Sequence, residues 1–156
     1  MSPADWIAVA LCAVAAGLES IAAGQGVKQR FAALTLPRWA PPLGVWIAIG
    51  VAYYVVCFMV LRRVLALPES SSRTAALALL LSILTINAYW NALFFRRRDL
   101  RTSFLTSAGY SVLAVLLWVL LWRIDVTAML WLTLYIVYLP YANAFGYAVW
   151  QANTNS

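Results

Sequence analysis

The chain has 156 residues, 65% of them hydrophobic and only 10% charged, and so little polar surface cannot wrap a domain of this size in water. The surplus apolar surface must face lipid, so the chain reads as an all-α integral membrane protein. With no histidine and a net charge of +6, a Ser-His-Asp triad, imidazole catalysis and the commonest zinc ligand are excluded, and the basic balance fits loops at an anionic lipid surface better than nucleic acid.

Charged residues fall in short clusters between five long apolar stretches, each meeting the roughly 20 residues needed to cross about 30 Å of hydrocarbon. The first, residues 6–27, carries one charge, Glu19, and one cysteine, Cys12. It opens on Asp5 rather than a basic cluster and outruns a signal-peptide core, so it is expected to stay in the mature chain. A carboxyl about thirteen residues into a span tends to face protein or a cavity. Glu19 is therefore a candidate proton-coupling group of the kind small multidrug exporters use, or a structural acid hydrogen-bonded to Gln25, Asn87 or a tyrosine. The small residues around it, Gly17, Ser20, Ala22, Ala23, Gly24 and Gly26, allow close helix contact at a dimer seam or inside the bundle.

The following loop carries Lys28, Arg30 and Arg38 and then Leu36-Pro37-Arg38-Trp39-Ala40-Pro41-Pro42. Pro41 and Pro42 suit the first turn of the second helix, residues 39–61, and Pro37 keeps the approach extended. The loop either starts that helix and seats Trp39 at the membrane interface, or serves as a lid over a cavity. Cys57 lies within the second apolar run, so both cysteines are expected as packed thiols rather than a disulfide, and no structural metal site is expected.

The third helix spans residues 74–95. Asn87, Trp90 and Asn91 lie at i, i+3 and i+4, and Phe94 continues the same face. The fourth spans 103–122 and the fifth 126–151, where Pro140 should kink the helix just before Tyr141 and Asn143. Such polar groups line a pocket or glue helices together. No linker or repeat divides the helices, so residues 1–156 are read as one domain. Seven basic residues (Lys28, Arg30, Arg38, Arg96, Arg97, Arg98, Arg101) lie on the face shared with the C-terminus and four (Arg62, Arg63, Arg73, Arg123) on the other. That bias places the C-terminus in the cytoplasm and the N-terminus outside.

Three segments, Leu36-x-x-Trp39-x-Pro41-Pro42, Asn87-x-x-Trp90-x-x-x-Phe94-Phe95, and Pro140-Tyr141 with Tyr147-Ala148, resemble the TspO/MBR family of translocator or tryptophan-rich sensory proteins. The resemblance spans about residues 30–150, and its helix-three segment is the most specific. It implies a TspO-like bundle of five transmembrane helices, commonly a homodimer, with a pocket closed by the first loop that binds tetrapyrroles, sterols or aromatic drug-like compounds. On this reading Trp39, Trp46, Tyr54, Asn87, Trp90, Asn91, Phe94, Tyr141, Asn143 and Tyr147 are the candidate ligand-binding residues, and Pro41 and Pro42 belong to the lid. No cofactor is obligatory, but a porphyrin or other tetrapyrrole is a candidate ligand, and arginines at the loop mouths are candidates to pair with its propionates or to set topology.

Two departures from the pattern concern the pocket. After the Pro-Pro pair, Trp46 matches the family's aromatic, but Ala48 and Gly50 replace a proline and a tryptophan, and Ala144 replaces a tryptophan four residues after Pro140. A wider cavity, or one filled by Tyr53, Tyr54 or Tyr147, is expected, and Trp-dependent porphyrin photochemistry is disfavoured. With no paired carboxylates or metal-ligand cluster, an enzyme is the weakest reading. The expected function is binding of a hydrophobic planar molecule for sensing, sequestration or transport. The alternatives are a proton-coupled exporter using Glu19 and an accessory subunit of a larger membrane complex docking through aromatics such as Trp118, Trp122 and Trp131.

Overall fold

The computed structural model describes residues 2–154, and they form helices joined by short connections with no strand among them. Five helices are long and apolar enough to cross a membrane: α1 (Pro3–Ala23), α3 (Leu43–Ala66), α4 (Ser71–Asn91, running on as a π-helix over Ala92–Arg97), α5 (Leu100–Ile124) and α6 (Val126–Thr154). A short helix, α2 (Val27–Ala32), lies in the first loop. The protein is thus an integral, multi-pass membrane protein built as a five-helix bundle.

Helix ends follow local chemistry. Ser2 caps α1 in a reciprocal capping box with Asp5, satisfying donors that an isolated helix start leaves open. Ser70 caps α4 and Asp99 caps α5, each accepting a backbone N–H three residues on. The first helix ends four residues earlier than its apolar run suggests. Gly24 and Gly26 have φ of +72° and +78°, a region that favours glycine, and between them they turn the chain into α2. Nor do the prolines enter α3. Pro42 is extended at ψ 157° as the N-cap and the helix starts at Leu43, and Pro42 in turn disfavours helical geometry at the residue before it, Pro41. α6 continues unbroken through Pro140.

Going round the bundle the order is α1, α3, α6, α5, α4 and back to α1, with α3 and α4 also touching across the centre. The half of the bundle nearest the α5–α6 connection is solid. Val60, Leu61, Val64, Ala114, Leu117 and Leu121 are there fully buried. A second, smaller cluster of Phe31, Phe94, Phe145 and Val149 closes the other end, and the space between the two clusters is where the interior opens.

Large apolar side chains such as Ile21, Leu134 and Val137 point outward, as lipid requires and water would not tolerate in such number. Exposed Trp6 and Trp122 lie at one end of the bundle and exposed Trp39 at the other, the positions of interfacial aromatic belts.

The two ends differ in charge. At the end holding Asp5, Arg62 pairs with Asp5 at 3.1 Å, Arg63 with Asp125 at 2.9 Å and Arg73 with Glu69 at 3.8 Å. At the opposite end, Lys28, Arg38, Arg96, Arg97, Arg98 and Arg101 form no ion pair among the described residues. Arg30, at that same end, donates through Nη1 to the carbonyls of Ala23 and Phe95, tying the end of α1 to the π segment.

Candidate functional site

A cavity of about 540 Å³ opens between all five long helices and α2, within the size range of small-molecule sites. On α4 the helical spacing carries Ile86, Asn87, Trp90 and Asn91 onto its wall. The Asn91 side-chain amide donates to the Asn87 carbonyl at 3.1 Å. The π segment that follows widens the turn, a feature frequent at functional sites, and both Phe94 and Phe95 reach the cavity. Trp90 stacks on Phe94 with centroids 4.9 Å apart and planes 17° apart, and Phe95 meets Phe94 edge-on.

α3 contributes Trp46, Gly50, Tyr53 and Tyr54. Tyr53 and Tyr54 meet edge-on at 5.2 Å, and Trp46 lies 4.4 Å from the Phe145 ring. Two buried polar atoms on this helix, Trp46 Nε1 and Tyr53 Oη, have no hydrogen-bond partner. Such atoms are rare in folded proteins and call for an explanation. At Gly50 a Cβ would meet nothing within 4 Å, so the missing tryptophan of the family pattern leaves open space on the cavity wall.

Glu19 faces this cavity rather than lipid. Because α1 ends at Ala23, Glu19 stands four residues from the helix end instead of near the middle of its span. The Tyr54 hydroxyl donates to its Oε2 at 2.6 Å and the Asn87 amide to the same oxygen at 2.9 Å. Three helices, α1, α3 and α4, are therefore joined at one carboxyl. At the cavity floor Tyr110 and Tyr135 are hydroxyl-bonded to each other.

Of the residues expected at a ligand site, Trp46, Tyr54, Asn87, Trp90, Asn91 and Phe94 line the cavity, and Trp39, Tyr141, Asn143 and Tyr147 do not. Tyr141 is partly exposed against Trp39 and Trp46. Asn143 accepts from Ser107 Oγ and donates to Ser111 Oγ, both at 2.8 Å, and so joins α6 to α5. Tyr147 is half exposed and packs on Phe104 and Trp150. The α6 residues that do face the cavity are Tyr135, Tyr138, Leu139, Ala142, Phe145 and Gly146, a stripe at helical spacing. At about 100° per residue, Tyr141 and Asn143 each lie roughly a quarter turn from the centre of that stripe, on either side of it. Proximity to Pro140 is no guide to the inward face, whereas the Tyr135-x-x-Tyr138-x-x-x-Ala142-x-x-Phe145 spacing was a readable signal.

The lid also differs from expectation. Pro41 and Pro42 do not touch the cavity; α2 covers it instead, through Val27 and Phe31. Trp39 reaches the site only indirectly, edge-on to Phe145 at 6.2 Å. The loop is fixed at its far side by Thr35 and Asn153, whose backbone and amide groups exchange two hydrogen bonds of 3.0 Å. Ala144, where the family pattern has a second tryptophan, is exposed on the outer surface and takes nothing from the cavity.

The cavity is therefore an aromatic chamber with one carboxyl and a helical cover. No group of His, Cys, Asp or Glu that could hold a metal occurs among the described residues. No curated protein matches the chain. The TspO/MBR family model, in contrast, matches residues 8–151, which takes in every spanning helix. The chain belongs to the TspO/MBR family.

Proposed function

We infer that the protein binds a planar, hydrophobic small molecule of tetrapyrrole- or sterol-like character in this cavity, for sensing, sequestration or transport. The observation that carries the reading is the partly open, aromatic-lined space itself. A bundle evolved only to pack has no reason to leave about 540 Å³ between its helices, since protein interiors are normally close-packed. Flat apolar ligands gain from stacking against rings such as Trp90 and Phe94, and the few polar groups orient their edges.

The test is a titration of the protein in lipid nanodiscs with protoporphyrin, read by porphyrin absorbance and tryptophan quenching. Saturable binding is expected, and Trp90→Ala should weaken it roughly fivefold, the equivalent of about 1 kcal/mol of lost stacking. Absence of saturable binding at micromolar porphyrin and at micromolar sterol overturns the reading.

The same reading sets the cation-rich end, with the C-terminus, in the cytoplasm. Seven basic residues in the loops at that end against four at the other support it, because the topology rule counts basic residues in short loops. Glu69 is almost fully exposed at the opposite end. A Glu69→Cys variant should react with a membrane-impermeant maleimide in intact cells, and reaction only after permeabilisation reverses the orientation.

A further inference from the structure

Charge inside the cavity is one-sided. Glu19 is the single charged side chain among the described residues lining it, and none of the chain's 11 lysines and arginines lines it. The Arg30 guanidinium uses Nη1 on the backbone carbonyls of Ala23 and Phe95, two residues that line the cavity, but Arg30 itself does not line it. Both protein donors to Glu19 go to Oε2, and Oε1 accepts no hydrogen bond from any described residue. A carboxylate in a membrane-embedded chamber without a cation is costly, and a cation brought by a ligand lowers that cost.

The walls favour the same charge. Tyr53, Tyr54 and Trp90 line the space, and the negative faces of such rings attract cations. Along α3, Trp46 and Tyr53 are seven residues apart on one face, about 10 Å along the axis. Their rings line the cavity, while the Nε1 and Oη atoms themselves are buried away from it.

We propose that the cavity selects a planar aromatic cation, its charge against Glu19 Oε1 and its ring system lying along α3 toward Trp46. The proposal rests on the ligand-binding reading above and narrows it to a charge class. An anionic ligand meets no cationic side chain among the residues lining the chamber.

The test compares two probes of one shape, N-methylacridinium and its neutral isostere methylanthracene, against the full-length protein in nanodiscs of zwitterionic phosphatidylcholine. In the wild type the cation should bind roughly tenfold more tightly than the neutral probe, as expected for a desolvated charge beside a carboxylate and aromatic faces. In Glu19→Gln the two affinities should converge through loss of cation binding, with the neutral probe unchanged. Equal affinities in the wild type, a measurement that needs no variant, overturn the charge selection and leave the binding reading standing. A cation preference that survives in folded Glu19→Gln likewise overturns it. If neither probe binds and protoporphyrin and sterol fail as well, the binding reading falls and takes this proposal with it.

Discussion

Replacing Gly50 by tryptophan should tighten the binding of a planar ligand about tenfold, close to 1.4 kcal/mol. Gly50 sits on the cavity face of α3, and a side chain grown from it meets no atom within 4 Å of its Cβ. An indole there adds a stacking wall to a cavity also lined by Trp90 and Phe94, and an aromatic contact of this kind contributes about 0.5–1.5 kcal/mol beyond the area it buries. The fold should tolerate the change, since glycine inside a helix is already about 0.5–1 kcal/mol worse than alanine. Gly50→Ala separates the two effects. It should raise thermal stability slightly and leave affinity unchanged. A loss of affinity in Gly50→Trp, measured in the same nanodisc titration, would show that the ligand needs the volume that glycine leaves.

Asp125→Ala should destabilise the bundle by about 2 kcal/mol. Asp125 is the single residue between α5 and α6, and its side chain has two duties. Its Oδ1 accepts the Ala128 N–H at 2.8 Å, capping α6. Both carboxylate oxygens also take Arg63 Nε, at 2.9 and 3.0 Å, which holds the end of α3 to the α5–α6 corner. The cap accounts for about 1 kcal/mol and the charge-assisted bond for about as much. The second figure sits at the low end of its range because Arg63 is 41% exposed and rehydrates when its partner is lost. Asp125→Asn should keep the cap and lose only the ion pair, about half the effect.

The same residue sets an acid limit. Burial alone would raise the Asp125 carboxyl, but hydrogen bonds from Arg63 and from the Ala128 N–H outweigh it and hold the group below the ordinary carboxylate value. A folded value lower than the unfolded one gives stability that is complete above the unfolded pKa of about 3.9. That contribution is lost as pH falls through the folded value. Wild type should therefore unfold more readily below about pH 4 than at pH 7, and Asp125→Asn should lose less over the same interval. Thermal unfolding in detergent at the two pH values measures both.

Composition and periodicity were enough to establish the membrane, the five spans and one wall of the cavity. Asn87, Trp90, Asn91 and Phe94 were legible because they are neighbours on one helix, and helical spacing alone decides which face they share. The family motifs carried the rest of the fold for the same reason, since each is a local pattern. Helix ends were less legible. Gly24 and Gly26 stop α1 early and Pro41–Pro42 delay α3, both through backbone preferences that hydropathy does not register.

Only the tertiary arrangement decided what the interior contains. Phe31 from α2, Tyr110 from α5 and the Tyr135–Tyr138 stripe of α6 line one cavity although nothing in the sequence links the three helices. Asn143, a polar residue that a sequence reading assigns to the pocket, is used up between two serines of α5. Glu19 shows the division most directly. Its presence in an apolar run declares that it must avoid lipid, but whether it meets a helix partner, a cavity or both depends on which helices stand beside α1. Packing places α3 and α4 there, bringing Tyr54 and Asn87 to one oxygen and leaving the other without a hydrogen bond from any described residue. Side-chain chemistry is a local property, but burial and partnership are properties of the assembled bundle.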